Sequence, residues 1–248
     1  MTKRQRPGVT PLLVPDNYTN TVTRFRRKLP LPSPSARQKP KRNAERTRKL
    51  ILRAATAEFA NKGFDGGRID EIARRSGVNK NLIYYYFGSK DRLIIAVMER
   101  IYEDMRARQN DLSVVGLEPE AGMRALVEHS FDHFASTPEL LTLMSNENLH
   151  RAEHIRKSRK IRSLYNPLMT ALRSLLERGA AQEIFRTDVD AVDLYISITG
   201  LSYFYLANRF TLGFIFGQNL VTPNRLRQRR KHVATLVLDY LKNRAPKS

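Results

Sequence analysis

Asn79, Lys80, Asn81, Leu82, Tyr84, Tyr85, Tyr86 and Lys90 crowd amide, cationic and phenolic groups into one short stretch. Together they suit the reading of duplex DNA. Asparagine can offer adenine a donor and an acceptor at once, lysine donates to guanine O6 and N7, and an exposed leucine packs on a thymine methyl. Successive helical residues stand about 100° apart, so three tyrosines in a row cannot all turn inward, and at least one phenol is left to donate to a phosphate. The order predicts a helix whose first residues reach base edges and whose later ones grip the backbone. Asn79 has a competing use, because asparagine also tolerates the turn before a helix.

A second constellation suggests different chemistry. His150, Glu153 and His154 spell H-x-x-E-H, a zinc-peptidase pattern, and His129 and His133 stand one helical turn apart. Arg151, Arg156 and Lys157 crowd that site with positive charge, which opposes a dication, and no third ligand is identifiable. The reading preferred here is solvated helix surface, with no metal, no cofactor and no enzymatic activity.

The elements needed to hold the DNA-reading set are legible on either side of it. Ile51, Ala54, Ala55 and Phe59 recur at three- and four-residue spacing and share one face of a first helix, which Gly63 can end in a left-handed conformation. After Phe64-Asp65-Gly66-Gly67, Ile69, Ile72 and Ala73 give a second, two-turn apolar face, and Gly77 breaks it before a third helix from Lys80 to Phe87. Ile83 and Phe87 should point inward against Ile51, Phe59 and Ile72. Ser89 should cap a fourth helix, whose leading N–H groups, with Lys90, form an anion site. Arg46 and Thr47 can do the same work at the first helix. Helix, glycine turn, helix is the helix-turn-helix signature.

Gly63, Phe64, Ile69, Ile72, Ala73, Gly77, Val78, Lys80, Tyr85, Tyr86, Phe87, Ser89, Lys90 and Leu93 stand in the order and spacing of the DNA-binding domain of TetR-type transcriptional regulators, which this stretch resembles. The resemblance implies an N-terminal three-helix reading domain followed by a helical domain that binds an effector and dimerises. It also implies that the tyrosines contact the backbone and one base. Gly67 and Arg68 depart from the hydroxyl residues that usually open the second helix, so Arg68 would substitute a charged phosphate contact.

Composition agrees with a nucleic-acid partner. A net charge of +20 predicts attraction to a polyanion and binding that weakens steeply with salt. With no cysteine, disulfides are excluded and a reducing cytoplasm is permitted. The most apolar run, from Ala191 to Ala207, is interrupted by Asp193 and hydroxyl residues, so no membrane span is expected.

Three regions follow. Residues 1–43 hold seven of the twelve prolines and many cations, and read as a disordered basic arm that lies along phosphates or enters a minor groove. A misassigned start and an organellar transit peptide are the competing readings of that arm. Residues 44–92 form the reading domain and 93–248 the effector and dimerisation domain. Within the latter, Pro119 and Pro138 open helices, Pro167 breaks or bends the stretch from Ile155 to Glu183, Asp188 or Asp190 caps a long aromatic helix through Phe210, and a last helix runs from Asn224 to Lys242. The whole is all-α.

Candidate effector contacts are His129, His133, Asn146, Tyr165, Asn166 and Arg173. The stretch from Tyr195 to Arg209 is similar to that in regulators of pyrimidine and nicotinate breakdown, which implies a small heteroaromatic effector. The apolar excess of the last two long helices fits an isologous homodimer, which would place two heads about one DNA turn apart on a palindromic operator. The expected function is a ligand-released repressor in the cytoplasm, associated with the nucleoid. A sequence-independent architectural DNA-binding protein is the alternative.

Overall fold

The computed structural model describes residues 34–110 and 116–243, and within them every regular element is helical. Helix α1 (Pro34–Gly66) opens earlier than the expected Ala44, on a proline whose missing N–H is one that a helix start does not use. Residues 1–33 of the expected arm lie outside the described residues. Gly63, at φ 71°, interrupts α1 where the sequence places its end. α2 (Ile69–Ser76) and α3 (Lys80–Phe87) follow, separated by Gly77 at φ 70°. Ile51, Ala55, Phe59, Ile72 and Ile83 are wholly or almost wholly buried together, and Phe64 meets Phe59 edge-on with ring centres 6.1 Å apart. A side chain at Gly67 would enter the Phe59 ring, so that turn needs glycine for space.

Ser89 caps α4 (Lys90–Asn110) as expected, its Oγ accepting from the Arg92 N–H at 3.2 Å. The apolar face of α4 belongs to the same core as the head. Val97, Met98, Ile101 and Met105 join Ile51 and Phe87 on one side to Phe131, Phe134, Leu140 and Leu143 on the other. Burying each such side chain contributes about 1.5–3 kcal/mol, so residues 44–243 cohere as one compact unit.

The body comprises α5 (Pro119–Ser136), α6 (Pro138–Leu149), a 3₁₀ turn (Ile155–Lys157), α7 (Arg159–Leu164), α8 (Asn166–Ala181), α9 (Ala191–Ala207), α10 (Arg209–Ile215) and α11 (Pro223–Lys242). A second core cluster, including Met123, Leu172, Leu175, Ile198, Val233 and Leu241, ties α5, α8, α9 and α11 together. Asp190 caps α9 by accepting from the N–H groups of Val192 and Asp193 at 2.8 and 2.9 Å. The aromatic helix stops at Ala207 instead of continuing to Phe210. At Asn208 the side-chain amide donates to the Phe204 carbonyl at 2.9 Å, and the chain restarts as the short α10. No described helix is long and apolar enough to cross a membrane.

Candidate nucleic-acid interface

α3 presents its apolar edge inward and its polar edge outward. Ile83 and Phe87 anchor it, and the Arg48 guanidinium covers the Phe87 ring from α1 at 4.6 Å. Asn81 is exposed and Leu82 half-buried at the leading end. Asn79 turns out to serve the turn. Its Oδ1 accepts from the Leu82 N–H at 2.8 Å, so that oxygen is committed to the helix cap and is not available for bidentate pairing with adenine while the cap stands. Lys80 leans back, its ammonium 2.9 Å from Asp70 on α2. The hydrogen bond and charge of Lys80 hold the Asp70 carboxyl below its ordinary value, and Asp70 in turn raises the Lys80 ammonium.

The three tyrosines separate as the helical phase requires. Tyr85 is 81% exposed, Tyr84 is exposed to a lesser degree, and Tyr86 packs on the core, its ring 5.4 Å from that of Tyr85. Tyr84 and Tyr85 are thus the phenols free to meet a backbone. Arg46 is exposed and Thr47 half-buried on α1. Arg68 precedes α2 in extended conformation and its side chain makes no cap, while its N–H donates to Glu58 at 3.3 Å. Lys90 donates to the Asp65 carbonyl at 2.9 Å, bracing the glycine turn. The polar side chains expected on the outer face therefore gather there, but Asn79, Lys80 and Lys90 are each already held by the protein.

The turn after α6 seats against the head, a role that residue spacing does not reveal. Glu147 is buried and accepts from the His154 and Ile155 N–H groups at 2.8 and 2.9 Å and pairs with His154 Nδ1 at 2.9 Å. That clamp holds Arg151 and Ala152 in left-handed conformation at φ 54° and 61°, strained for side-chain-bearing residues. The turn then places the His150 and His154 rings 5.6 and 5.0 Å from Phe64, and His150 Nε2 3.2 Å from the Asp65 carboxylate. The reading of H-x-x-E-H as solvated surface is corrected: His154 is 5% exposed, because its ring and the Glu147 carboxylate satisfy one another inside. No cluster able to hold a metal occurs among the described residues. The hydrogen bond to the Asn146 carbonyl, and secondarily Asp65, raise the His150 pKa, against the opposing effect of burial.

The candidate effector contacts scatter. Asn146 packs beside Gly63 at the same junction, so a side chain there would meet its amide at 2.9 Å. Asn166 and Arg173 are exposed on α8, where Arg173 lines an open groove of about 310 Å³ with Leu176, Ala180 and Val189. His133 is buried on α5 and His129 half-buried. Tyr165 does lie at an internal polar group, whose other members the sequence reading missed. Arg106, 3% exposed, donates to Tyr195 Oη at 3.0 Å and stacks on the Tyr165 ring at 4.0 Å, with the Tyr102 ring 6.0 Å from that of Tyr165. Burial pushes the Tyr102 and Tyr165 phenols up, keeping them neutral. A signal existed, since Met98, Tyr102 and Arg106 follow one another at four-residue spacing along the inward face of α4.

Comparisons with known proteins agree along the chain. Residues 51–97 match the family model of bacterial regulatory proteins of the tetR family, and residues 119–237 match the tetracyclin repressor-like C-terminal domain. The HTH-type transcriptional repressor NicS of Pseudomonas putida is 40% identical over 177 residues, covering 71% of this chain and 84% of that protein. The HTH-type transcriptional regulator RutR of Escherichia coli is 45% identical over 56 residues, which cover 23% of this chain and 26% of RutR. Among solved structures, a transcriptional regulator of Streptomyces coelicolor, SCO4942, superposes with a TM-score of 0.59 at 24% identity, covering 79% of this chain and 98% of that one.

Proposed function

The chain belongs to the TetR family of transcriptional regulators, and on that premise we propose that it is a homodimeric repressor released from a palindromic operator by a small heteroaromatic effector. It is a DNA-binding regulator and not an enzyme. Base reading falls to Lys80, Asn81 and Leu82, with Tyr84, Tyr85, Arg68, Arg46 and Thr47 on the backbone. Lys80 reaches a guanine by exchanging Asp70 for the base, so the ion pair with Asp70 competes with DNA and sharpens the choice of sequence.

The observation that carries the release step is the seating of the α6 turn on Phe64 and Asp65. α4 passes from the head to the Arg106 and tyrosine group, and α6 returns from the body to the head, so both ends of the switch touch the same rigid core. Arg106, Tyr102, Tyr165 and Tyr195 supply a cation, donors and ring faces suited to a flat polar heterocycle. Such a ligand shifts the equilibrium between head positions only by its differential affinity for them.

Selection of bound duplexes from a random pool tests the DNA half, and the expected product is an inverted repeat with half-sites about one turn apart. Enrichment of no sequence would return the protein to the architectural reading. Titrating pyridines and pyrimidines onto the selected complex tests the effector half; release by none of them rejects the heteroaromatic class.

A further inference from the structure

α10 is the least protected apolar segment among the described residues. Phe210, Phe214, Ile215 and Phe216 are 74, 90, 67 and 64% exposed, while Leu212 alone of the helix's large side chains packs back onto the core. A cluster of aromatics this open marks a surface that another apolar surface covers. The same structure holds an open groove of about 280 Å³ between α9 and α11, floored by Leu194, Leu201, Val237 and Tyr240 and rimmed by Asp190 and Asp193. One chain therefore carries both an apolar knob and an unfilled apolar hole.

We propose that α10 is an exchanged arm, whose aromatic side chains fill the α9–α11 groove of a second copy of this chain. The inference rests on the homodimer reading above. A two-fold interface is self-complementary, so a knob and a hole on the same surface are matched twice by one operation. The groove opens beside the first turns of α9, at Asp190 to Leu201, whereas α10 follows its last turn at Ala207. Helices paired head to tail across a two-fold bring the end of one α9 to the beginning of its partner, which delivers α10 to that groove. The surface between them is continuous, because Ile196 and Phe204 on α9 are exposed along the way. Charge is complementary as well: Arg209, whose guanidinium lies 4.3 Å over the Phe210 ring, arrives at a rim made of aspartates.

The chain has no cysteine, so introduced thiols are unique reporters. Two differently tagged full-length chains, one carrying Phe214→Cys and the other Ser197→Cys in the groove, are mixed, allowed to exchange and oxidised. A covalent dimer bearing both tags is expected. Its absence, with the wild type sedimenting as a dimer, overturns the exchanged arm alone; a monomeric wild type overturns the dimer beneath it. Independently, Phe214→Glu, at a side chain exposed in the single chain, should weaken self-association by at least about tenfold in sedimentation equilibrium while leaving the helical signal intact. An unchanged dissociation constant overturns the proposal, as does capture of the arm by phosphatidylglycerol vesicles with self-association unaffected.

Discussion

The Glu147 carboxylate and the His154 imidazole face each other at 2.9 Å across the turn that follows α6, both shut away from solvent. Their pairing fixes a strained backbone whose only visible use is to press two histidines onto the head. Glu147→Ala leaves buried donors without an acceptor and should cost about 3–5 kcal/mol in equilibrium urea unfolding. Glu147→Gln keeps one acceptor oxygen and should cost about 1–2 kcal/mol. In both, operator affinity should fall at temperatures where the fold is still fully populated; an intact affinity would separate the turn from head positioning.

His150 makes the same junction pH-sensitive. Its folded pKa is raised, so its contribution is fully present below the unfolded value, about 6.5, and is lost as pH climbs through the higher folded value. Grip of the head on the α6 turn should therefore loosen only as pH rises beyond about 6.5. Stability profiles of the wild type and Asp65→Asn should converge at high pH and part at low pH. Parallel profiles would remove His150 and Asp65 from that role.

The ion pair between Lys80 and Asp70 predicts opposite outcomes for its two halves. Lys80→Ala should lose about 1–3 kcal/mol on the selected operator and relax preference at one base position. Asp70→Asn should instead strengthen binding to bulk DNA more than to the operator, narrowing the ratio between them. Competition titrations at fixed salt measure both, and a ratio unchanged in Asp70→Asn rules out a role for the pair in selectivity.

Arg106 lies far along α4 from the DNA-reading face, so Arg106→Gln should abolish the response to effector and spare operator affinity, to within about threefold. Tyr195→Phe, which removes the hydroxyl that accepts from Arg106, should weaken the response without eliminating it. Loss of DNA binding in a well-folded Arg106→Gln protein would contradict this division of labour.

How far residue pattern reaches is visible at particular positions. Gly63, Gly77, the Ser89 cap and the inward face of Ile51 to Phe59 were readable because local geometry admits few residue types there. Helical phase alone required at least one of the three tyrosines to emerge, and the docking of α3 decides that Tyr84 and Tyr85 do. Spacing also put His150 and His154 together, but periodicity says which residues share a face and not what that face meets, so their contact with Phe64 was invisible. The same limit applies to Asn166 and Arg173, because the spacing of α8 does not tell its outward side from its inward one. The partners of Lys80 and Lys90, on α2 and in the glycine turn, depend on how three helices dock.

One apolar cluster runs unbroken from Ile51 on α1 through Met98 to Leu143 on α6. Severing the polypeptide after Leu93 would cut through that cluster and bare Phe64, on which His150 and His154 now lie, and the fragment should aggregate. The reading head is accordingly not a portable module: grafting its specificity onto a cousin means carrying the α4 stem and the α6 tip along with it.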